Sequence, residues 1–121
     1  MLGYTVTNLT KQTRVATEVE LADTWWARFK GLLGRSAAEF TDGRGLWIIP
    51  CQGIHTIGMS FPIDAVYLDS AGRVLRLYQS LAPFRLAAMS FRTHSVLEFP
   101  KGTLSYSGTQ IGDLLEFTIN D

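Results

Sequence analysis

The sequence has little cysteine, no excess of charge of either sign and no long apolar run. Its one cysteine, Cys51, cannot form a disulfide within the chain, so nothing here requires an oxidising compartment. The 11 basic and 11 acidic side chains give a formal net charge of zero. Because nucleic-acid-binding domains usually carry a basic excess, this balance argues against a nucleic-acid partner.

Signals for membrane insertion or export are also missing. No apolar run approaches the roughly 20 residues of a membrane-spanning helix. Residues 1–9 lack a basic region followed by an apolar core, so they do not resemble a secretory signal. We therefore predict a cytoplasmic chain with no membrane span. An export signal removed before Met1 is an alternative that the sequence leaves open.

The residues that are present suit a compact core. The chain has 121 residues, of which 46% are apolar and 18% charged. This length supports one hydrophobic core rather than two, so we expect a single domain over residues 1–121. The 3 Trp, 4 Tyr and 7 Phe favour a well-packed interior.

The first third of the chain predicts two strands and a helix. Thr- and Val-rich runs at residues 2–9 and 14–21 are typical of a strand pair, plausibly antiparallel. Apolar residues then recur at helical spacing and predict one clear helix near residues 24–33. Asp23 would cap it and Gly34 would end it. Gly31 indicates either a close packing contact or an earlier end.

The remainder predicts short strands joined by loops. Strands are expected at 46–49, 63–69, 73–78, 95–99 and 114–119, with a hairpin turn at 70–72. Residues 51–62 predict a structured loop, and residues 79–92 either an irregular crossover or an extended segment. The fold class is therefore α+β and mainly β, with about seven short strands in a curled or barrel-like mixed sheet.

The loop after Pro50 holds the chemically active side chains. His55 can act as base, acid or ligand near neutral pH, and it can also brace an irregular loop through its ring nitrogens. Cys51 and His55 supply only two of the three or four ligands that zinc needs, and nothing in the spacing recruits His94. We therefore predict no metal site and no cofactor.

Two carboxylates adjoin this loop in the predicted sheet. Asp64 opens the strand that follows the loop, and a carboxylate at the rim of a core needs a cation or several N–H donors. Arg28, Arg35 and His55 are the candidate partners. Glu98 raises the same question, because it shares a strand face with Val96. The catalytic candidates are thus His55, Asp64 and Glu98, with a bracing role as the alternative for each.

Apolar side chains of the loop allow two interpretations. Ile57, Met59 and Phe61 alternate with Gly58 and Ser60. They can line a ligand groove, or they can simply bury the loop against the core.

Several segments, taken together and in order, resemble the family known as domain of unknown function 192. They are WARFKGLLGR at 26–35, GLWI at 45–48, HTIGM at 55–59, PIDAVYLD at 62–69, GRV at 72–74, VLEFPKG at 96–102 and GD at 112–113. The resemblance implies a small, mainly bacterial domain with a mixed β fold, and no established reaction, substrate or cofactor. It also implies that HTIGM marks one branch, since other members carry a tryptophan-methionine-lysine-asparagine-threonine string there.

This variation changes which loop residues we expect to have a role throughout the family. If the loop keeps its role when histidine is replaced, a catalytic His55 is disfavoured, and Thr56, Met59 and Asp64 become parts of a shared loop architecture. The expected binding residues are Arg28, His55, Thr56, Met59 and Asp64.

Three functions remain, in this order. The first is a domain that binds a small molecule or protein partner through residues 51–64, because Gly/Pro-rich loops with apolar and polar side chains often form clefts. The second is a self-assembly or structural accessory domain that pairs through a sheet edge or a Trp-rich face. The third is a small hydrolase or transferase that uses His55 with Asp64 or Glu98. An enzyme is thus the less favoured reading.

Overall fold

The computed structural model describes residues 3–121 and has seven strands and two short helices. In chain order these are β1 Gly3–Asn8, β2 Thr13–Ala22, α1 Trp25–Lys30, β3 Arg44–Ile48, β4 Ile63–Leu68, β5 Val74–Leu81, β6 Ser95–Pro100, α2 Thr103–Ser107 and β7 Leu115–Ile119. The mainly β, α+β prediction is confirmed, and each of the seven strands overlaps a predicted one, although β5 continues to Leu81, beyond its predicted end at residue 78.

All seven strands form one mixed sheet in the order β5-β4-β6-β3-β2-β1-β7. The β1–β2 and β4–β5 pairs are antiparallel hairpins, whereas β2 and β3 run parallel. A parallel pair needs a crossover connection, and here the crossover carries α1. This arrangement brings β6, from late in the chain, between β3 and β4.

The sheet curls so that one face closes over the larger core. Side chains from strands at both ends of the sheet meet in this cluster, which also contains Leu104 of α2. Its buried members are Val6, Val15, Ala16, Val19, Val66, Leu68, Val74, Leu97, Phe99, Leu104 and Leu115. We call this side the concave face.

The other face carries a smaller core, which loops cover rather than strands. Leu32 and Phe40 come from the crossover between β2 and β3, and Met59 and Phe61 come from the loop before β4. They pack on Ala22, Leu46, Ile48 and Ile63 of the sheet. We call this side the loop-covered face.

Helix α1 differs from the prediction in length and in burial. Thr24, not Asp23, caps it by accepting a hydrogen bond from Ala27 N at 3.1 Å, and it ends at Gly31, where φ is 49°. None of its residues is buried: Trp25, Trp26 and Phe29 are 70%, 62% and 62% exposed. The expectation that the aromatics serve a packed interior is therefore wrong for these three, because α1 meets the smaller core through Ala27 and the following Leu32, and its aromatic side chains lie outside that contact.

The segment after β5 is tied to the loop after β3. Backbone hydrogen bonds join Ala87 N to Ile54 O and Ser90 N to Gln52 O, and a β-bridge pairs His55 with Leu86. Gly53 lies so close that an added Cβ would stand 2.7 Å from Ala88 O. The two loops thus form one antiparallel layer.

Candidate functional site

Glu98 is the buried acidic residue of the loop-covered face. In the middle of β6 it pairs with Ala65 of β4 and Leu46 of β3, so its side chain leaves the sheet on the side of Leu46 and Ile48. It is 3% exposed, and its Oε1 atom has no hydrogen-bond partner. Burial raises the pKa of Glu98 to about 7.

A cavity of about 90 Å³ lies in front of this carboxyl group. The end of α1 forms one wall and the loop after β3 forms another; Arg28, Gly31, Cys51, His55, Met59 and Glu98 are among the lining residues. An added Cβ at Gly31 would stand 4.0 Å from Glu98 Oε1, so a glycine leaves the carboxyl group open on that side. We call this space the Glu98 cavity.

Arg28 brings a second polar group without a partner. Its Nη1 atom donates to Pro50 O at 3.1 Å, which ties α1 to the start of the loop. Its Nε atom is buried and has no acceptor. No ion pair joins Arg28 to Glu98 among the pairs found in residues 3–121. The cavity therefore offers an unused donor and an unused carboxylate oxygen.

Cys51 contributes a thiol of low reactivity. It is partly buried, and its Sγ atom donates to Gly53 O at 3.2 Å. Burial is the main cause that raises the pKa of the Cys51 thiol. Because the thiolate is the nucleophilic form, this environment disfavours nucleophilic chemistry at Cys51.

His55 and Met59 occupy the loop part of the cavity wall. The His55 side chain is exposed, so it stands at the mouth, whereas Met59 is buried in the smaller core. Of the candidate residues drawn from the sequence, Arg28, His55, Met59 and Glu98 thus line one cavity.

Thr56, between His55 and Met59, is buried and links the loop to the segment that follows β5. Its buried hydroxyl donates to Ala82 O at 2.6 Å and accepts from Arg85 N at 2.9 Å. Its backbone carbonyl also accepts from Met59 N and Phe84 N. Thr56 therefore fastens the loop after β3 to residues 82–86.

Asp64 lies apart from the cavity, on the concave face. Its Oδ1 atom accepts from Ser80 N at 2.9 Å, and its Oδ2 atom accepts from Gly102 N at 3.2 Å and Leu104 N at 2.9 Å. The donors are backbone groups rather than Arg28, Arg35 or His55. Asp64 thereby joins β4, β5 and the start of α2.

A wider hollow adjoins the cavity. It has a volume of about 410 Å³ and is lined by Trp25, Arg28, Phe29, Ile48, Pro50 and Cys51. Trp25 and Phe29 stack with their ring centroids 5.7 Å apart and form its aromatic wall. Arg28 and Cys51 line both spaces, so the hollow and the Glu98 cavity are neighbours.

Another hollow, of about 740 Å³, lies elsewhere, near Glu18, Glu20 and Arg44. Both of its glutamates already have partners: Arg35 binds Glu20 at 2.7 Å and Arg44 binds Glu18 at 3.4 Å. Within residues 3–121, no group of three or more His, Cys, Asp and Glu side chains is arranged to hold a metal ion. Trp47 Nε1 and Thr93 Oγ1 are also unpaired, but each lines a different hollow, whereas the Glu98 cavity has two such groups and one of them is a carboxyl group.

Sequence patterns indicate only part of this site. Strand alternation places Glu98 opposite Leu97 and Phe99, and the glycine at position 31 signals a special contact or a helix end. No local pattern indicates that Trp25 and Phe29 line a surface hollow, or that Cys51 and Gly31 share a cavity with Glu98, because those contacts depend on the crossover.

Fold and site together define a class: a mainly β chain with a curled, mixed sheet and a loop-covered cavity that ends on a buried glutamate. The chain belongs to the DUF192 family, described as "Uncharacterized ACR", whose model matches residues 6–117.

Curated relatives carry the family name UPF0127. A UPF0127 protein of Thermococcus sibiricus is 27% identical over 119 residues, which cover 94% of this chain and 75% of that protein. A UPF0127 protein of Pyrococcus furiosus is 27% identical over 115 residues, covering 91% and 95%. These relatives are archaeal, so the mainly bacterial character implied by the resemblance does not describe them.

Two solved structures share the fold. A Novosphingobium aromaticivorans protein of unknown function has a TM-score of 0.78 and 26% identity, over 93% of this chain and 82% of that one. A Sinorhizobium meliloti protein, described as a candidate transcription regulator, has a TM-score of 0.79 and 21% identity, over 94% and 91%. The second likeness shows the fold alone. Among residues 3–121, no helix has the length and apolar character to cross a membrane.

Proposed function

We propose that this chain binds a ligand, and that the Glu98 cavity holds one polar end of it. The observation that carries the proposal is the unpartnered Oε1 atom of a fully buried carboxyl group. Burying such a group without a hydrogen bond is unfavourable, and native proteins pair most buried polar atoms. A group that binds there therefore relieves an existing penalty.

The size of the cavity limits what enters it. Its 90 Å³ corresponds to roughly three water molecules at about 30 Å³ each. This is room for one terminal group, while most ligand sites are several times larger. The rest of the ligand would lie in the neighbouring hollow of about 410 Å³, against Trp25 and Phe29.

The two unpaired atoms also indicate the chemistry of that end. Glu98 Oε1 accepts a hydrogen bond when ionised, and Arg28 Nε only donates. A primary amide satisfies both, since it has N–H donors and a carbonyl acceptor. With Glu98 ionised, an ammonium group would serve Glu98 alone, and a carboxylate would serve Arg28 alone.

A titration with small compounds tests this proposal. Acetamide, methylammonium and acetate are added in the millimolar range to ¹⁵N-labelled protein, because ligands of so few atoms bind weakly. We expect acetamide to shift the backbone amide resonances of Gly31 and Gly53 most strongly. Glu98→Leu should abolish these shifts, and Glu116→Gln, on an exposed strand position, should leave them unchanged. Equal shifts in Glu98→Leu, or none in the wild type, contradict the proposal.

Catalysis is a second candidate function, favoured by the pKa of Glu98. A carboxyl group with a pKa of about 7 can act as general acid or base at neutral pH. His55 at the mouth would be its companion, whereas Asp64 is engaged by three backbone N–H groups on the other face. A broad hydrolase and transferase screen tests this idea. Activity that persists in both Glu98→Gln and His55→Ala would exclude these residues.

Self-assembly is the third candidate, and the exposed strand edges motivate it. Strands β5 and β7 end the sheet. Backbone hydrogen bonds between residues 72–74 and 112–115 join the starts of these two strands, so only their later parts present an edge. Open edges of this kind can pair with a second chain. Light scattering that gives a monomer mass at high concentration would rule out pairing between copies.

A further inference from the structure

We propose that one surface of this protein binds anionic lipid membranes. The surface consists of residues 24–33, 50–59 and 82–94, and we call it the basic apolar face. It goes beyond the ligand proposed for the Glu98 cavity. The two share Trp25, Arg28 and Phe29, but the variants that test the face change Arg85, Leu86, Phe91 and Arg92, which do not line that cavity or the neighbouring hollow.

The three segments are neighbours in space. Residues 50–59 lie between the other two: Pro50 lines one hollow with Trp25 and Phe29, and another with Phe91 and Arg92. The β-bridge between His55 and Leu86 fixes residues 82–94 against this middle segment. The basic apolar face is therefore one continuous surface.

Large apolar side chains are concentrated on this face. Phe91 is 95% exposed, which is more than any other large apolar residue described. The other exposed members are Trp25, Trp26, Phe29, Ile57, Phe84, Leu86 and Met89. Exposed apolar groups in such number mark interaction surfaces, and Trp and Phe are typical of the interface between water and lipid.

The charged residues within these three segments all have one sign, and Asp69 borders the face, where it lines a hollow with Phe91 and Arg92. Residues 24–33, 50–59 and 82–94 contain no Asp or Glu, although the whole chain carries 11 acidic side chains. They contain Arg28, Lys30, Arg85 and Arg92, and the ion pairs found within residues 3–121 involve none of these four. A partner for this face must therefore accept positive charge.

An anionic membrane matches both properties at once. Its phosphate groups attract Arg and Lys, and its acyl chains accept the apolar side chains between them. Arg side chains can lie along the apolar layer while their charged ends reach the headgroups. A nucleic acid would match the charge, but it would leave Leu86 and Met89 without an apolar environment.

Vesicle co-sedimentation of the full chain tests the proposal. We expect the protein to sediment with vesicles of phosphatidylcholine and phosphatidylglycerol, and only weakly with phosphatidylcholine alone. Arg85→Gln with Arg92→Gln should weaken binding by about 25-fold, since each cationic residue near an anionic surface contributes roughly fivefold. Leu86→Ser with Phe91→Ser should weaken it at least about tenfold.

Matched controls separate this face from general surface properties. Ile111 is 66% exposed, close to the 65% of Phe84, but lies outside the face, so Ile111→Ser should bind like wild type. Arg14→Gln, at an exposed position of β2, controls for the loss of a positive charge. Circular dichroism shows whether each variant remains folded.

Three outcomes would overturn the proposal. The first is no sedimentation with anionic vesicles, and the second is equal binding to both kinds of vesicle. The third is a dimer in light scattering that the Leu86→Ser and Phe91→Ser pair dissociates, with no vesicle binding. That last result would assign the face to a protein partner.

Discussion

The two faces of the sheet each bury a carboxyl group close to its centre, and they surround it in opposite ways. Asp64 on the concave face accepts hydrogen bonds from Ser80 N, Gly102 N and Leu104 N. Glu98 on the loop-covered face has an Oε1 atom with no partner and a pKa raised to about 7 by burial. Asp64 lies against a core of strands, whereas Glu98 lies beneath loops and beside a cavity.

This contrast separates a structural carboxylate from a candidate functional one. A buried charge that receives several N–H donors stabilises the elements that supply them. A buried carboxyl group without donors destabilises the fold, and such groups are concentrated at functional sites. Asp113 resembles Asp64: burial opposes its ionisation, but hydrogen bonds from Lys11 and Asn8 lower its pKa.

The largest effect is expected at Asp64. Asp64→Ala should lower the free energy of unfolding by about 4 kcal/mol, because three N–H groups lose a charged acceptor in a buried place. Urea denaturation measures this loss. The exposed Asp42→Ala variant should stay within about 0.5 kcal/mol of the wild type. A loss of less than about 1 kcal/mol in the free energy of unfolding would contradict the structural role assigned to Asp64.

Glu98 should instead make stability fall as the pH rises. Its pKa is about 7 in the folded chain against 4.5 for an ordinary Glu, so between these values the folded state holds more protons than the unfolded state. The free energy of unfolding should drop by about 3 kcal/mol from pH 4.5 to pH 7, and little beyond.

The Glu98→Gln variant isolates this effect from other titrating groups. The difference in unfolding free energy between wild type and variant, measured by urea denaturation at a series of pH values, should change across that window. A difference that stays constant with pH would mean that Glu98 titrates normally, and the contrast with Asp64 would then disappear.

Thr56 is expected to stabilise the loop after β3 by fastening it to residues 82–86. Thr56→Val keeps the side-chain shape but removes the bonds to Ala82 O and Arg85 N, so it should lower the free energy of unfolding by about 2 kcal/mol. Faster hydrogen exchange at Arg85 N and Ala87 N would locate the loss in the paired loops. Thr118→Val, at an exposed position, is the control.

Gly31 and Gly34 form a matched pair for the smallest effect. Both have positive φ, 49° and 81°, so an alanine at Gly34 should destabilise the fold by about 1 kcal/mol, and one at Gly31, whose ψ is −126°, by about 1–2 kcal/mol. Only the Gly31 methyl group would stand near Glu98 Oε1, at 4.0 Å, whereas a Cβ at Gly34 meets nothing within 4 Å. Acetamide binding should therefore weaken in Gly31→Ala alone. Equal acetamide binding by both variants would contradict the position of Gly31 in the wall of the Glu98 cavity.

The sheet was predictable because its signals are local. Alternating apolar residues identify β1, β2, β4 and β6, and the turn at residues 70–72 joins β4 to β5. Helix α2 escaped prediction since its five residues, TLSYS, have modest helix propensity. Its start is bonded to Asp64, which lies 40 residues before Leu104, so no local pattern reveals the cap.

The site was less predictable because a periodic pattern of apolar residues does not indicate which other part of the chain, or which partner, covers those residues. The spacing of Trp25 and Phe29 indicates an apolar stripe, but the same spacing suits a core, a ligand or a partner. Glu98 was a candidate from its strand position, yet its empty surroundings come from α1 and the loop after β3. Those contacts join segments far apart in the chain.

The parallel pairing of β2 with β3 has a consequence for how this fold can diversify. The connection between them supplies both Leu32 and Phe40 to the smaller core and Arg28 and Gly31 to the Glu98 cavity. The concave core takes none of its buried members from that connection. Insertions or exchanges within the connection can therefore reshape the Glu98 cavity and the basic apolar face while the curled sheet keeps its register, which makes the crossover the place where this fold can change with least effect on its larger core.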